Sequence, residues 1–170
     1  MYQLISPHTQ GYSEWVATLE EFGDTPMDGS GFFGNYFPVD LSEAGFQRYL
    51  DDRHAAETTA PEGFVTCSYF WIIDDAQHIV GFLALRHELN QHLLEVGGHI
   101  GYSVRPSYRN KGVATAALKV GVDKAHDRGI ERVLLCVKED NPASQTVIER
   151  CGGQYESTIR GLRRYWFSRM

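Results

Sequence analysis

The sequence predicts a mixed α/β fold, an α+β sheet that is antiparallel in its N-terminal half and carries a parallel crossover in its C-terminal half. Two observations predict this architecture. Residues 64–73 and 78–86 are alternating, strand-forming runs about a turn at 74–77, a hairpin pattern. Residues 99–138 read as strand, loop, helix and strand, and a helix joining two strands makes them parallel partners or neighbours in one sheet. At 170 residues the chain fits one domain, spanning 1–170, large enough to bury a core.

Taken in order, Tyr2-Gln3-Leu4-Ile5 forms a short strand closed by Pro7. Ser13 is placed to cap a helix with Trp15, Leu19 and Phe22 on one face and Gly23 at its end. Residues 24–39 have no period and are rich in glycine and aromatics. A loop of that length either walls a binding pocket or is pinned to the core by Phe32, Phe33, Tyr36 and Phe37. Asp40, three residues before Glu43, has capping-box spacing. It opens a helix with Phe46, Tyr49 and Leu50 inward, ending near Glu57. Pro61 and Gly63 mark the boundary before the hairpin. Residues 88–96 read as a loop with a helical turn at His92-Leu93-Leu94. In the strand at 99–104, Ile100, Tyr102 and Val104 share a side, and Pro106 stops it. The next helix puts Ala114, Ala117, Leu118, Gly121, Val122 and Ala125 on one face and stops at Gly129. Residues 130–138 are an apolar strand. Asn141 caps a last helix, with Pro142 at its first position, Val147, Ile148 and Cys151 inward, and Gly152-Gly153 at its end. Strands at 154–159 and 162–168 complete the sheet.

Composition narrows the function. A net charge of −6 argues against a nonspecific nucleic-acid binder and suits a cationic partner. No run approaches the length of a membrane span, and no signal segment opens the chain. Three widely spaced cysteines, Cys67, Cys136 and Cys151, read as buried thiols of a reducing compartment, so a cytoplasmic location is expected. The seven histidines include no pair four apart and the cysteines lack ligand spacing, so no metal site is expected.

Arg109, Asn110, Lys111, Gly112, Val113 and Ala114 lie where the strand ending at Val104 gives way to a helix. A helix's first turn presents N–H groups without intrahelical partners, and its dipole favours an anion. Gly112 lets an anion reach the backbone and tolerates positive φ, while Arg109 and Lys111 add charge. On these residues alone, a phosphate site and a plain glycine-capped loop both stand. No G-x-x-x-x-G-K-[ST] or G-x-G-x-x-G run is present.

The run RNKGVA resembles the cofactor signature [QR]-x-x-G-x-[GA] of the GNAT N-acetyltransferase superfamily. Val104-Arg105-Pro106 is similar to that family's V-x-P strand end, and residues 141–152 to its next block. The similarity covers about 65–168 well and the first sixty-odd residues weakly. The runs RHELN and GGHIGYSVRP resemble a bacterial subgroup whose acceptors are unassigned. The resemblance implies the GNAT fold, acetyl-coenzyme A as acyl donor, and a small-molecule or peptide amine as acceptor. It implies that the loop's amides, through Thr115, hold the diphosphate. Backbone groups of Tyr102, Ser103 and Val104 would pair with the pantetheine arm, and Asn141 and Ser144 would contact it. A homodimer is admitted but not required.

Acetyl transfer needs a held donor, a deprotonated amine, a stabilised oxyanion and a thiolate able to leave. Many relatives supply a tyrosine to protonate the thiolate at the position occupied here by Ile148, which cannot donate. Glu95 and His99 are the candidate bases, with His87 and Glu88 upstream. Each also reads as an ordinary solvated or core polar residue. The rival readings are an acyl-coenzyme A sensor without turnover and a domain for another nucleotide.

Overall fold

In the computed structural model, which describes residues 1–33 and 37–170, Ile79–Arg86 is buried along nearly its whole length. Such a strand must be covered on both faces. It is β3 of a four-stranded antiparallel sheet, ordered β1-β2-β3-β4, with β1 Gln3–Ile5, β2 Cys67–Ile73 and β4 Ile100–Val104. One face packs on α1 (Tyr12–Phe22) and α2 (Glu43–Ala55) through Trp15, Phe22, Phe46, Tyr49, Trp71 and Phe82. The other packs on α3 (Val113–Asp127), where Leu118 and Val122 meet Leu83 and Ile100. A second antiparallel sheet, β5-β7-β6, comprises β5 Arg132–Lys138, β6 Gln154–Ile159 and β7 Leu162–Ser168, with α4 (Pro142–Arg150) between β5 and β6 in sequence. The expected mixed α/β fold is present.

The crossover β4–α3–β5 forms, but no parallel ladder joins its strands among the described residues. The sheets meet at an antiparallel bridge between Gly98 and Leu135. His99 locks that junction. Its N–H donates to Leu134 O at 2.7 Å, and its Nδ1 accepts from Leu134 N–H at 2.9 Å. Because the His99 N–H bonds Leu134 and not β3, β4 begins at Ile100 rather than at 99. Beyond the junction β4 and β5 part.

Other boundaries shift for local reasons. Asp40 does not cap α2. Ser42 does, accepting from Gly45 N–H at 3.0 Å, while Asp40 accepts from Ser42 N–H at 3.0 Å and pairs with Arg48. Ser13 does not cap α1, because a 3₁₀ turn at Thr9–Gly11 has already begun the helix. β3 starts at Ile79 because Asp74 captures the N–H groups of Ala76 and His78 in the turn. β2 starts at Cys67, β5 at Arg132, and the helical turn near His92 extends over Leu93–Gly97. Asn141 caps α4 as expected, accepting from Ser144 N–H at 3.2 Å. The three cysteines are free, and of the three only Cys67 is fully buried.

Candidate active site

Where β4 and β5 part, they leave a cavity of about 940 Å³. β4 forms one wall. Arg86 N–H bonds His99 O at 2.7 Å and Arg105 N–H bonds Val80 O at 2.8 Å, which sets the phase of the β3–β4 ladder. Antiparallel alternation then turns the backbone N–H and C=O of Tyr102 and Val104 toward the cavity, away from β3. Arg109 Nε donates to Val104 O at 3.2 Å, and the other edge groups keep no ladder partner among the described residues.

The end of the cavity is the start of α3. Gly112 stands at its N-cap with φ +80°, a conformation that asks for glycine. No side chain caps the helix, and its bonding begins with Ala116 N–H to Gly112 O at 3.1 Å. The N–H groups of Val113, Ala114 and Thr115 therefore face the cavity unbonded among the described residues. Arg109 and Asn110 line the same end. Lys111 does not; its ammonium sits 5.2 Å over the Tyr108 ring.

The facing wall is α4, with Asn141 and Ser144 in its first turn. Ser144 Oγ lies 2.7 Å from Tyr102 Oη across the gap. Thr146, Val147 and Arg150 line this wall too, and Ala143, Thr146, Val147 and Arg150 recur at helical spacing, a pattern present in the sequence. Ile148 points away, fully buried in the core with Phe167. The cavity is roofed by Thr25, Pro26 and Asp28, and Asp28 reaches Lys138 at the end of β5 in a 2.6 Å ion pair. The roof is pinned to β4. Ser30 and Ser103 hydroxyls meet at 2.6 Å, and Gly29 lies so close to Gly101 that any side chain there would strike its carbonyl.

The aromatic loop divides its roles. Phe32 is buried between Tyr49 and Phe82, as a pinning residue should be. Phe33 and Phe37 are half exposed, Phe33 lying parallel to exposed Phe64 with ring centroids 6.0 Å apart. Tyr36 lies outside the described residues.

Neither candidate base lines the cavity. His99 is 5 % exposed, and burial together with the Arg86 charge holds its pKa down to about 4. With Nδ1 accepting from Leu134, the neutral ring carries its proton on Nε2. Glu95 accepts from Gln91 Nε2 at 2.6 Å and faces Arg160 at 3.3 Å. Among the described residues no cluster of three or more metal-ligating side chains occurs, and no helix is long and apolar enough to cross a membrane.

Two antiparallel sheets thus splay around a cavity that has an uncapped, glycine-led helix at its end. The family model for the acetyltransferase (GNAT) domain matches residues 16–154, and the chain belongs to that family. A search of curated proteins returned no match. Solved structures agree on the fold. RimJ of Mycobacterium smegmatis, in complex with a coenzyme A disulfide, is 18% identical, with 98% of this chain and 81% of that chain covered and a TM-score of 0.73. RimL, the ribosomal L7/L12 alpha-N-protein acetyltransferase in complex with coenzyme A, is 14% identical over 98% of this chain and 93% of that one, with a TM-score of 0.68. A putative ribosomal-protein-serine acetyltransferase of Vibrio cholerae is 16% identical over 99% and 94%, with a TM-score of 0.67.

Proposed function

We propose that the protein moves the acetyl group of acetyl-coenzyme A to a primary amine of a small molecule or peptide, by direct transfer in a ternary complex. One observation carries this reading: the open edge of β4 and the uncapped start of α3 border the same cavity. The edge suits an amide-bearing arm laid alongside it as an extra strand. The helix start, with Arg109, suits a diphosphate. A charge-assisted hydrogen bond is worth about 1.5–3 kcal/mol, and several converge here. Arg150, exposed on α4 at the cavity wall, adds a cation on the same side.

The amine lone pair would attack the thioester carbonyl from the roof side, where the segment after α1 meets the β4–β5 junction. Glu95 is the better base of the two candidates, working through water, because the Nδ1 lone pair of His99 already accepts from Leu134 N–H and the ring is buried. Structural neighbours named for protein α-amines and for spermidine illustrate the acceptor range, and a net charge of −6 favours a cationic one. A cytoplasmic location and a homodimer fit the same reading.

An acyl-coenzyme A sensor without turnover is the second reading, favoured by the burial of Ile148 where relatives place a hydroxyl. Thiol release over a panel of amines separates the two. Turnover with any amine supports the enzyme; binding of acetyl-coenzyme A without release supports the sensor. Stabilisation by ATP or NAD in place of coenzyme A would overturn both.

A further inference from the structure

We propose that Lys138 is a self-acetylation site: with acetyl-coenzyme A in the cavity and no acceptor present, its Nζ takes the acetyl group, and Asp28 restrains it. The inference rests on the cofactor reading above. The lysines of the chain are Lys111, Lys119, Lys124 and Lys138, and only the last of them lines the cavity. The others are engaged elsewhere. Lys111 and Lys124 each hold an ammonium 5.2 Å over a ring, that of Tyr108 and that of Phe70, and Lys119 is exposed on α3.

Lys138 ends β5, across the opening from β4. Its ammonium is held 2.6 Å from Asp28, and Asp28 directly precedes Gly29, whose backbone rests on Gly101. Gly29 O also accepts from Arg86 Nη2 at 3.0 Å, which fixes the roof at that point. The ammonium is thereby tethered near Gly101. An arm entering at the α3 end meets the edge groups of Val104 first and of Tyr102 second. Its sulfur follows the last amide by two carbons, about one residue's rise along a strand. That brings the thioester level with Gly101, so amine and thioester reach the same level from opposite sides of the opening.

Asp28 keeps the reaction slow. Its hydrogen bond and charge raise the pKa of Lys138, and the charge of Asp140 adds to them, so the ammonium keeps its proton and has no lone pair to offer. The pair is also solvated: the side chains of Lys138 and Asp28 are 58% and 65% exposed. An ion pair of that kind is weak, and the lysine can swing free of it. The step balances without an oxidant or reductant. The ammonium gives up two protons, one to free its lone pair and one as the amide forms. The lone pair makes the C–N bond, the C–S bond breaks, and its electron pair stays on sulfur. Sulfur takes one proton from water, so one proton is released to solvent. The products are a neutral N-acetyl-lysine and free coenzyme A.

The test needs no acceptor. The protein is incubated with acetyl-coenzyme A alone, and the acetyl groups are counted by intact mass and placed by peptide mapping. One acetyl group should appear at Lys138, with a fractional rate that does not depend on protein concentration, as an intramolecular transfer requires. Excess desulfo-coenzyme A, which fills the site without an acyl group, should suppress it. Lys138→Arg should lose the modification and still bind coenzyme A by calorimetry. Asp28→Asn should speed the reaction about two- to five-fold, the size an exposed ion pair can exert. A rate at or below wild type in that variant would overturn the restraint assigned to Asp28. Acetyl groups spread evenly over the four lysines and indifferent to desulfo-coenzyme A would be plain chemical acetylation and would overturn the site. So would a wild-type protein that binds coenzyme A and stays unmodified, leaving the cofactor reading in place. A wild-type protein that fails to bind coenzyme A would overturn both.

Discussion

At the scale of single residues, His99 shows how one side chain can look chemical in a sequence and be structural in the fold. Its place at the head of the strand 99–104 was legible; its two bonds to Leu134 were not, because they join residues 35 positions apart. Its pKa is depressed from 6.5 to about 4. As pH falls through 6.5 the unfolded chain takes up the proton first, so stability is full above 6.5 and is lost toward about 4. The loss is at most about 3 kcal/mol. Thermal melts across that window should show His99→Gln flattening this part of the curve; parallel curves would mean that the ring is not held neutral. Glu95→Gln should behave oppositely, leaving the melt unchanged and lowering kcat/KM by about 10²–10⁴-fold, the usual size for a general base. Ile148→Tyr, which a family pattern would invite, should instead destabilise by about 1–3 kcal/mol through overpacking of the core, with no gain in turnover.

Elements divide by whether their signals are local. The periodic face of α3 was readable, and Ala117, Leu118, Gly121, Val122 and Ala125 are all buried. Asn141 and Pro142 announced α4 for the same reason. Strand starts were less readable, since the Asp74 turn and the His99 junction decide them through side-chain bonds that leave no period. The segment 24–33 is the extreme case. Its aromatics told that it mattered, but only the fold shows Phe32 entering the core while Phe33 stays outside. Phe32→Ala should therefore cost about 3–5 kcal/mol. Phe33→Ala should change stability by no more than about 0.5 kcal/mol, and if the loop borders the acceptor path it should alter the acceptor's KM while leaving coenzyme A affinity alone. A kinetic silence in Phe33→Ala would confine this loop to packing and roofing.

At the scale of the whole molecule, two antiparallel sheets are bridged at Gly98 and Leu135 and part beyond that junction, and the opening is the cavity. The sequence pattern implied a crossover but could not say that its strands would splay rather than pair, because apolar strand runs read alike in both arrangements. Splaying gives β4 an unpaired edge, and the proposed function lays the donor's arm along it. A ligand binding only the folded state at 100 times its Kd stabilises by about 2.7 kcal/mol, which for a chain of this size is a rise in Tm of roughly 5–10 °C. Coenzyme A should produce that rise, and ATP and NAD should not. The most direct test is isothermal titration of coenzyme A, at moderate salt, into wild type, Gly112→Val and Lys111→Ala, with melting temperatures recorded for each. The cavity assignment predicts saturable binding to wild type. Gly112→Val should lose about ten-fold or more, equivalent to at least one charge-assisted hydrogen bond, and Lys111→Ala should lose distinctly less, since its ammonium is engaged over the Tyr108 ring and Lys111 does not line the cavity. Absence of binding to wild type, or equal and negligible losses in two folded variants, would contradict it.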